Sequence, residues 1–404
     1  MRIKHQQQGL LPILAYTSQA WFQWEMEALW GKNWHFAGMV SDLGTPGDYM
    51  TVQVGVYPIF VVRGHDHRLR AFHNICRHRG TQLLRAKGKS EKNIVCPYHN
   101  WTYSLNGALK HIPERHTQFA GQQIDMEALC LFKASVQTWR EMIFVHPDPN
   151  PEPFMAYLGD VPKHVGPHQV DKLVESEDTF YTKDVKCNWK ILVENAIDGY
   201  HLDHLHPNTL NMYNHKKQDN RYAGKHWVFR EPLADWYKKD MHNLAPYGLI
   251  DHIPEEKLAA YLYHLFPSVL ITETEGSWST LQFIPLAPDR TVIEIRTRTM
   301  PLTTSQYTSQ SIKSWMAWGR RLSNAPPNDG SDDNMAHEND PLYSGDFMEE
   351  DIFACEQQQK AMSSPLYSTG PVARDEESIF RFHEAVLQHC PLEEWESRWR
   401  SFRG

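Results

Sequence analysis

Two cysteines and two histidines stand in two short motifs that are typical of a metal site. Cys76 and His78 form a Cys-x-His pair within NICRHRGTQLL, and Cys96 and His99 form a Cys-x-x-His pair within IVCPYHNWTY, after a gap of seventeen residues. Thiolates and imidazoles at such spacings bind zinc or an iron–sulfur cluster. Zinc sites more often pair cysteine with cysteine, whereas a two-iron cluster can give two thiolates to one iron and two imidazoles to the other. The pattern therefore predicts a metal centre held by two loops, with a [2Fe–2S] cluster favoured over zinc.

A second group of residues with metal-binding side chains lies in CNWKILVENAIDGYHLDHLHPNTL. Asp198, His201, His204 and His206 fall within nine residues. On a continuous helix His201 and His204 would share a face, because positions three apart are neighbours. Pro207 disfavours helical backbone at His206, so that this histidine can turn back toward a metal at the helix end. The residues alone therefore leave His204 and His206 open as partners of His201.

Both segments resemble one enzyme family. The first resembles the Rieske consensus, including the Arg79–Gly80 pair and the Pro-Tyr-His-x-Trp run, with Asn100 where the family usually has glycine. Asparagine tolerates left-handed backbone better than most residues, so this difference should leave the loop intact. The second segment, NWK-x-x-x-E-N followed by D-x-Y-H-x-x-x-x-H, is similar to the catalytic signature of Rieske non-haem iron oxygenases, and in particular of the large (alpha) subunits of aromatic ring-hydroxylating enzymes.

The resemblance implies a Rieske [2Fe–2S] cluster on Cys76, His78, Cys96 and His99. It also implies a mononuclear Fe(II) bound by His201, His206 and one downstream carboxylate, which selects His206 over His204. The segment GDFMEEDIFACEQQQ is similar to the family's third-ligand segment. Asp351 fits best there, Glu349 and Glu350 are the alternatives, and an acidic solvated helix face is the plainer interpretation.

Asp198 lies three residues before His201. By resemblance to the family, its carboxylate links His201 to the cluster histidine that matches His99 in a neighbouring subunit, and so orients both rings. Such a link requires an oligomer. The resemblance implies a homotrimer, with or without a small beta subunit, in which each mononuclear iron receives electrons from the cluster of the next chain.

The elements that position these residues are expected to form an α+β protein. TSQAWFQWEMEALWGKNW, near the N-terminus, has a helical pattern, and YMTVQVGVYPIFVVRG begins a strand-rich region. The four prolines of HPDPNPEPF mark a linker. After it, YHLFPSVLIT, WSTLQFIPL and TVIEIRTRT have the pattern of strands in an antiparallel sheet, and FMEEDIFACEQQQKAM and RDEESIFRFHEAVLQ that of helices.

We therefore expect an N-terminal helical segment at 1–40 that packs on the catalytic domain, an antiparallel β Rieske domain at 41–150, and a catalytic domain at 160–404. Resemblance to the family implies a helix-grip-like arrangement around a central antiparallel sheet in the catalytic domain.

Composition limits the classes of partner. The 404 residues carry a net charge of −8, without the basic surplus of a nucleic-acid-binding protein. No run approaches the roughly 20 apolar residues that span a bilayer, and six cysteines are too few for a disulfide framework, so a cytoplasmic location is expected. Because no GxGxxG fingerprint is present, NAD(P)H should act only indirectly, through a partner reductase with or without a ferredoxin. Basic residues around the first cluster loop would attract an acidic electron donor: Arg77, Arg79, Arg85, Lys87, Lys89 and Lys92.

The expected function is that of a terminal oxygenase, which uses O₂ and electrons from a partner to hydroxylate a small aromatic substrate, with or without a carboxylate group. Relatives that act on quaternary ammonium compounds tend to carry glutamate where this chain has Asp198, which favours the aromatic class. Two alternatives stay open. One is oxidative N- or O-demethylation by the same chemistry, and the other is a zinc-stabilised binding module without redox activity.

Overall fold

The computed structural model describes residues 11–324, 340–371, 373–395 and 397. Within these ranges the chain divides into two compact units. The first unit is Gln23–Tyr157, and the second combines Met1–Phe22 with Leu158–Gly404. The first ten residues of the predicted N-terminal segment lie outside the described part of the chain.

The helical pattern predicted for residues 17–34 corresponds to α2 (Gln19–Ala28), which ends earlier than predicted, and α1 (Leu14–Thr17) is a short turn just before it. The division between the units falls inside α2, earlier than the boundary predicted at residue 40. The reason is that the end of α2 rests on the hairpin that follows it. A Cβ on Gly55 would lie 2.1 Å from the carbonyl oxygen of Met26, so this contact requires glycine.

The first unit is built from short antiparallel strands. Seven of them pair in the order β1-β10-β9-β4-β3-β2-β5 and three in the order β6-β7-β8, all within a fully described stretch. Two short helices, α3 (Arg115–Gln118) and α4 (Phe154–Leu158), accompany them. The strands are β1 (His35–Met39), β2 (Asp48–Val54), β3 (Tyr57–Arg63), β4 (Leu69–His73), β5 (Lys87–Lys89), β6 (Asn93–Val95), β7 (Thr102–Ser104), β8 (Leu109–His111), β9 (Lys133–Trp139) and β10 (Met142–His146).

The second unit is organised around one antiparallel sheet of the order β11-β17-β16-β15-β14-β13-β12. Its strands are β11 (Val174–Val185), β12 (Asp219–Ala223), β13 (His226–Pro232), β14 (Ala259–Leu265), β15 (Val269–Glu273), β16 (Trp278–Ala287) and β17 (Arg290–Thr299). The described helices after α4 are α5 (Trp189–Ile197), α6 (Leu202–Leu205), α7 (Asp235–Lys238), α8 (Met241–Leu244), α9 (Thr304–Asn324), α10 (Phe347–Ala361) and α11 (Glu377–His389).

The predicted α+β class with antiparallel sheets is confirmed. One strand prediction needs correction, because YHLFPSVLIT contains the end of β14 and most of β15 rather than one strand. Pro267 lies between the two strands and has no N–H to donate to a neighbouring strand, so β14 ends before it and the chain turns back into β15.

Helices α5, α10 and α11 pack together and carry much of the site described below. Asn188 caps α5, since its side chain accepts a hydrogen bond from the backbone of Lys190. Trp189 meets Phe382 of α11 edge to face, at 5.8 Å between ring centroids. Six of the nine residues of α5 are apolar and seven of the nine are buried, so this helix is fixed in the interior of the second unit. Among the described helices, none combines the length and apolar character needed to cross a membrane.

Candidate metal centres

The two Cys/His loops of the first unit fold in the same way. The first follows β4 and the second connects β6 to β7. The N–H of Gly80 donates to the carbonyl of Cys76 at 3.0 Å, and the N–H of Asn100 donates to that of Cys96 at 3.1 Å. Gly80 and Asn100 both adopt left-handed backbone, with φ of 77° and 55°. Asn100 therefore takes the conformation for which the family usually has glycine, as expected.

The two loops separate the four candidate ligands by type, with the cysteines buried and the histidines half-exposed. Cys76 and Cys96 are almost fully buried, and the Cys96 thiol is one of the neighbours that raise the pKa of the Cys76 thiol. The Nδ1 atoms of His78 and His99 lie 3.2 Å apart on a half-exposed side. The ligand atoms of these four residues do not all lie within 4.8 Å of one another, as the ligands of a single metal ion would. Two separate pairs fit a two-iron cluster, with thiolates on one iron and imidazoles on the other, better than one zinc ion.

Aromatic side chains hold these loops in place. The hydroxyl of Tyr103 lies 3.5 Å from the Cys76 sulfur and accepts the backbone N–H of Arg77 at 3.0 Å. Trp101 stacks on His78, with 4.8 Å between ring centroids and 6° between planes. Burial raises the pKa of the Cys76 thiol, so a metal is needed to hold it as thiolate. Neither aromatic residue was assigned a role from the sequence, although both follow directly after the second loop.

The second candidate centre lies after α5. The chain leaves the helix at Asp198, and His201 precedes the single turn of α6, which ends at His206. The Oδ1 atom of Asp351, on α10, lies 3.0 Å from His206 Nε2 and 3.5 Å from His201 Nε2. Among the described residues, these three form the group whose ligand atoms all lie within 4.8 Å of one another. Two imidazoles and one carboxylate suit a ferrous ion with open positions.

The outer nitrogens of the two histidines are also bonded. Asp198 Oδ2 accepts from His201 Nδ1 at 3.0 Å, and Glu350 Oε2 accepts from His206 Nδ1 at 2.6 Å. Both Nδ1 atoms are therefore donors, which leaves both Nε2 atoms free to face Asp351. Carboxylates in this position fix the tautomer and orientation of a metal-binding histidine. Burial lowers the pKa of His206, but Asp351 and Glu350 outweigh it, so that the pKa is raised overall.

The three acidic residues offered by the sequence take different positions. Asp351 faces the Nε2 atoms, whereas Glu350 is buried against the opposite nitrogen of His206 and the hydroxyl of Thr209, at 2.7 Å. Glu349 points elsewhere and bonds to Lys183. One metal ion cannot bind both nitrogens of the same ring, so a site on Nε2 excludes Glu350 as its third ligand.

His204 does not join the group. It is exposed, and its ring rests on Tyr200 at 5.7 Å between centroids. The argument from helical spacing that paired it with His201 was wrong. His201 and His204 do share the short turn of α6, but the ring that lies next to His201 is that of His206, at the end of this turn, with 5.2 Å between ring centroids. Asn195 was not assigned a role from the sequence. Its side chain donates to Asp351 Oδ1 at 3.1 Å, and its place in the NWK-x-x-x-E-N motif was the available signal.

Two family models match the chain, one in each unit. A family model of the ring hydroxylating alpha subunit (catalytic domain) matches residues 163–392, and a model of the Rieske [2Fe-2S] domain matches residues 33–137. The oxygenase subunit of glycine betaine monooxygenase from Chromohalobacter salexigens is 35% identical over 202 residues, which are 50% of this chain and 44% of the relative.

Two further relatives act on different classes of substrate by name. The oxygenase subunit of carnitine monooxygenase from Acinetobacter pittii is 33% identical over 197 residues, 48% of this chain and 52% of the relative. The alpha subunit of biphenyl 2,3-dioxygenase from Rhodococcus jostii is 32% identical over 197 residues, which are 48% of this chain and 42% of the relative. The match spans about half the length of each of these curated relatives.

Solved structures share the fold over nearly the whole chain. A quaternary ammonium Rieske monooxygenase in complex with L-carnitine superposes with a TM-score of 0.68 at 21% identity, covering 94% of both chains. Naphthalene 1,2-dioxygenase from Rhodococcus sp. superposes with a TM-score of 0.67 at 18% identity, covering 94% of this chain and 95% of that one.

Proposed function

The chain belongs to the family of Rieske non-haem iron oxygenase alpha subunits, and we propose that it is a terminal oxygenase component, which hydroxylates a small organic substrate with O₂ and with electrons from a separate donor protein. The convergence of His201 Nε2, His206 Nε2 and Asp351 Oδ1 within 4.8 Å carries this proposal. Fe(II) bound there would keep open positions for O₂ and substrate.

We assign Cys76, His78, Cys96 and His99 to the cluster, and His201, His206 and Asp351 to the mononuclear iron. The residues around the second site then have positioning roles. Asp198 and Glu350 hold the two imidazoles by their outer nitrogens. The side-chain amide of Asn195 donates a hydrogen bond to the Asp351 carboxylate.

We further propose that Asp198 connects the iron site to the cluster of a neighbouring chain in a homotrimer. Its Oδ2 already accepts from His201, and its side chain is 14% exposed. The Asp198→Asn variant should load both centres with iron but reoxidise its reduced cluster at least about tenfold more slowly, in the presence of substrate and O₂. Stopped-flow absorbance of the cluster measures this rate. An unchanged rate would remove Asp198 from the electron path.

For the substrate, we propose a quaternary ammonium compound, since the glycine betaine and carnitine monooxygenases are among the relatives with 33–35% identity. Hydroxylation of the carbon next to the charged nitrogen consumes O₂, two electrons and two protons and forms one water. The hydroxylated carbon then collapses to an aldehyde as the C–N bond breaks, and an amine and a proton leave.

An aromatic substrate is the second candidate, and it was the class expected from the sequence. Asp198 favours it, since aspartate stands where quaternary-ammonium enzymes of the family tend to carry glutamate. The biphenyl 2,3-dioxygenase alpha subunit is also 32% identical. Ring hydroxylation leaves the carbon skeleton intact and releases no amine.

Product analysis separates the two classes. The holoenzyme with a surrogate reductase is given glycine betaine, carnitine or benzoate under ¹⁸O₂. Formation of an amine and an aldehyde in step with NADH consumption supports the quaternary ammonium proposal. A labelled hydroxylated ring supports the aromatic candidate. NADH consumption that yields only peroxide with every compound would contradict both substrate classes.

A further inference from the structure

Three hydroxyl side chains lie side by side in the middle of the sheet of the second unit. Thr272 of β15 pairs with Ser279 of β16, and Ser279 pairs with Thr297 of β17. Residues directly opposite each other in antiparallel strands point to the same face, with their Cβ atoms about 5 Å apart. Thr272, Ser279 and Thr297 therefore form one line across three inner strands, which we call the hydroxyl row.

The hydroxyl row lies on the face of the sheet that meets α10. Lys183 of β11 bonds on this face to Glu349 at the start of α10. Tyr181 stands two residues before Lys183, so that both point to the same face, and Tyr181 pairs with Ile295 of β17. Thr297 stands two residues after Ile295 and shares that face. The hydroxyls therefore point toward the layer of helices that contains α10.

The register also gives the distance from the hydroxyl row to the iron-site end of this face. Strands rise about 3.4 Å per residue, so the hydroxyl row is about 7 Å along the sheet from the level of Tyr181 and about 14 Å from the level of Lys183. Glu349, the partner of Lys183, is two residues before Asp351. The hydroxyl row is therefore where the far end of a substrate lies when the substrate reacts near Asp351 and points along the strands.

The helices leave this part of the face open. Nearer to α10, Phe283 and Ile293 are each 3% exposed. At the hydroxyl row, by contrast, Thr272 and Thr297 are partly exposed although they lie on inner strands, and Ser279 between them is 7% exposed. Partial exposure in the middle of a covered face indicates a recess between the sheet and the helices, with the hydroxyl row on its floor.

Two hydroxyl hydrogens of the row have no acceptor among the described residues. The Ser279 and Thr297 oxygens are 2.8 Å apart, and because one hydroxyl donates to the other, only one of their two hydrogens is used. In the part of the chain that the structure describes, the Thr272 hydroxyl bonds to no other residue. The row therefore presents two free donors to the recess. A carboxylate has acceptor oxygens only, and its negative charge makes each bond from a hydroxyl stronger.

We propose that the hydroxyl row binds a carboxylate group of the substrate, at the end away from the carbon that is hydroxylated. This inference rests on the proposed function, and it limits both candidate classes to their carboxylated members, such as glycine betaine and benzoate. Leu281, two residues from Ser279 on the side nearer Lys183, is partly exposed and gives the recess an apolar floor between the two ends of the substrate. The three hydroxyls determine specificity and do not touch the reacting atoms.

Ligand binding under argon tests the proposal without turnover. Isothermal titration calorimetry on the iron-loaded protein compares glycine betaine with tetramethylammonium, and benzoate with toluene, since only the first compound of each pair has a carboxylate. In one of the two pairs the parent protein should prefer the carboxylate by about tenfold or more. Absence of this preference in both pairs would overturn the proposal.

Thr272→Val tests the hydroxyl row itself, because valine keeps the shape of threonine and removes the donor. The Kd for the preferred carboxylate should rise about tenfold, and the Kd for the compound without a carboxylate should not change. Thr280→Val is the matched control, since Thr280 points to the opposite face, is 0% exposed and has a hydroxyl without a partner among the described residues. Both variants should keep the parent's iron content, which shows that they are folded. Equal Kd values for the two variants would overturn the assignment.

Turnover separates this proposal from the proposed function. With a surrogate reductase, Thr272→Val should raise KM for the preferred carboxylate about tenfold and leave kcat unchanged, because the lost bond is made equally before and during the reaction. A fall in kcat with an unchanged KM would contradict the binding role. A parent protein that prefers the carboxylate but hydroxylates none of the compounds would contradict the proposed function, while the binding data would still support the carboxylate site.

Discussion

Replacement of Glu350 by glutamine tests how the site holds His206. The carboxylate and the imidazole are joined by a 2.6 Å hydrogen bond, with side chains 4% and 0% exposed. Such a buried, charge-assisted bond is roughly twice as strong as a neutral one. Glutamine keeps the shape of the side chain and can still accept from Nδ1, but it removes the negative charge that makes His206 a stronger metal ligand.

The expected loss is about tenfold in Fe(II) affinity, or about 1.4 kcal/mol, the lower end of what outer partners of metal-binding histidines contribute. This affinity is measured by depleting the protein of its mononuclear iron and letting it compete for Fe(II) with a chelator whose absorbance reports the iron it holds. Glu349→Gln is the matched control, since its side chain is 37% exposed and bonds to Lys183. If Glu350→Gln and Glu349→Gln bind iron equally well, the assigned role of Glu350 is wrong.

Two further predictions concern the donor surface and acid stability. Lys92 is exposed near the cluster loops, and Lys92→Glu should lower the donor-dependent kcat/KM about threefold at low salt, an effect that added salt removes. Lys257→Glu, at an exposed position elsewhere, is the control and should leave kcat/KM unchanged. Equal values of kcat/KM for the two variants would contradict the attraction of an acidic donor. Burial lowers the pKa of His264 to about 4, while its Nε2 donates to the carbonyl of Pro267 at 2.9 Å. Because the unfolded chain takes up this proton near pH 6.5 and the folded chain does not, stability falls by about 3 kcal/mol as pH drops from 6.5 to 4. His264→Gln should lose this part of the pH dependence in denaturant titrations, and an identical slope would refute the assignment.

The cluster loops could be predicted closely from the sequence because their geometry is local. Cysteine, histidine and a left-handed residue recur at short spacing in each loop, and Asn100 could be judged from its backbone tolerance alone. Tyr103 and Trp101 were missed as supports, because nothing in a local pattern tells whether an aromatic side chain faces a ligand or the general core.

The mononuclear site depends on contacts between distant segments, so sequence reasoning alone left it open. Helical spacing favoured His204, but spacing within a turn does not show which side chain faces a residue far away in the sequence. The turn of α6 ends at His206, whose Nε2 lies 3.0 Å from Asp351 Oδ1. The choice among Glu349, Glu350 and Asp351 also needed tertiary structure, because three consecutive residues on a helix point in different directions.

Iron content and electron paramagnetic resonance of the Asp351→Ala variant test the central claim most directly. The parent protein should hold about three irons per chain, two in the cluster and one at the mononuclear site. The variant should keep the signal of the reduced Rieske cluster, lose about one iron per chain and lose substrate hydroxylation. A variant that retains the parent's full iron content and hydroxylates substrate at the parent's rate would contradict the assigned site.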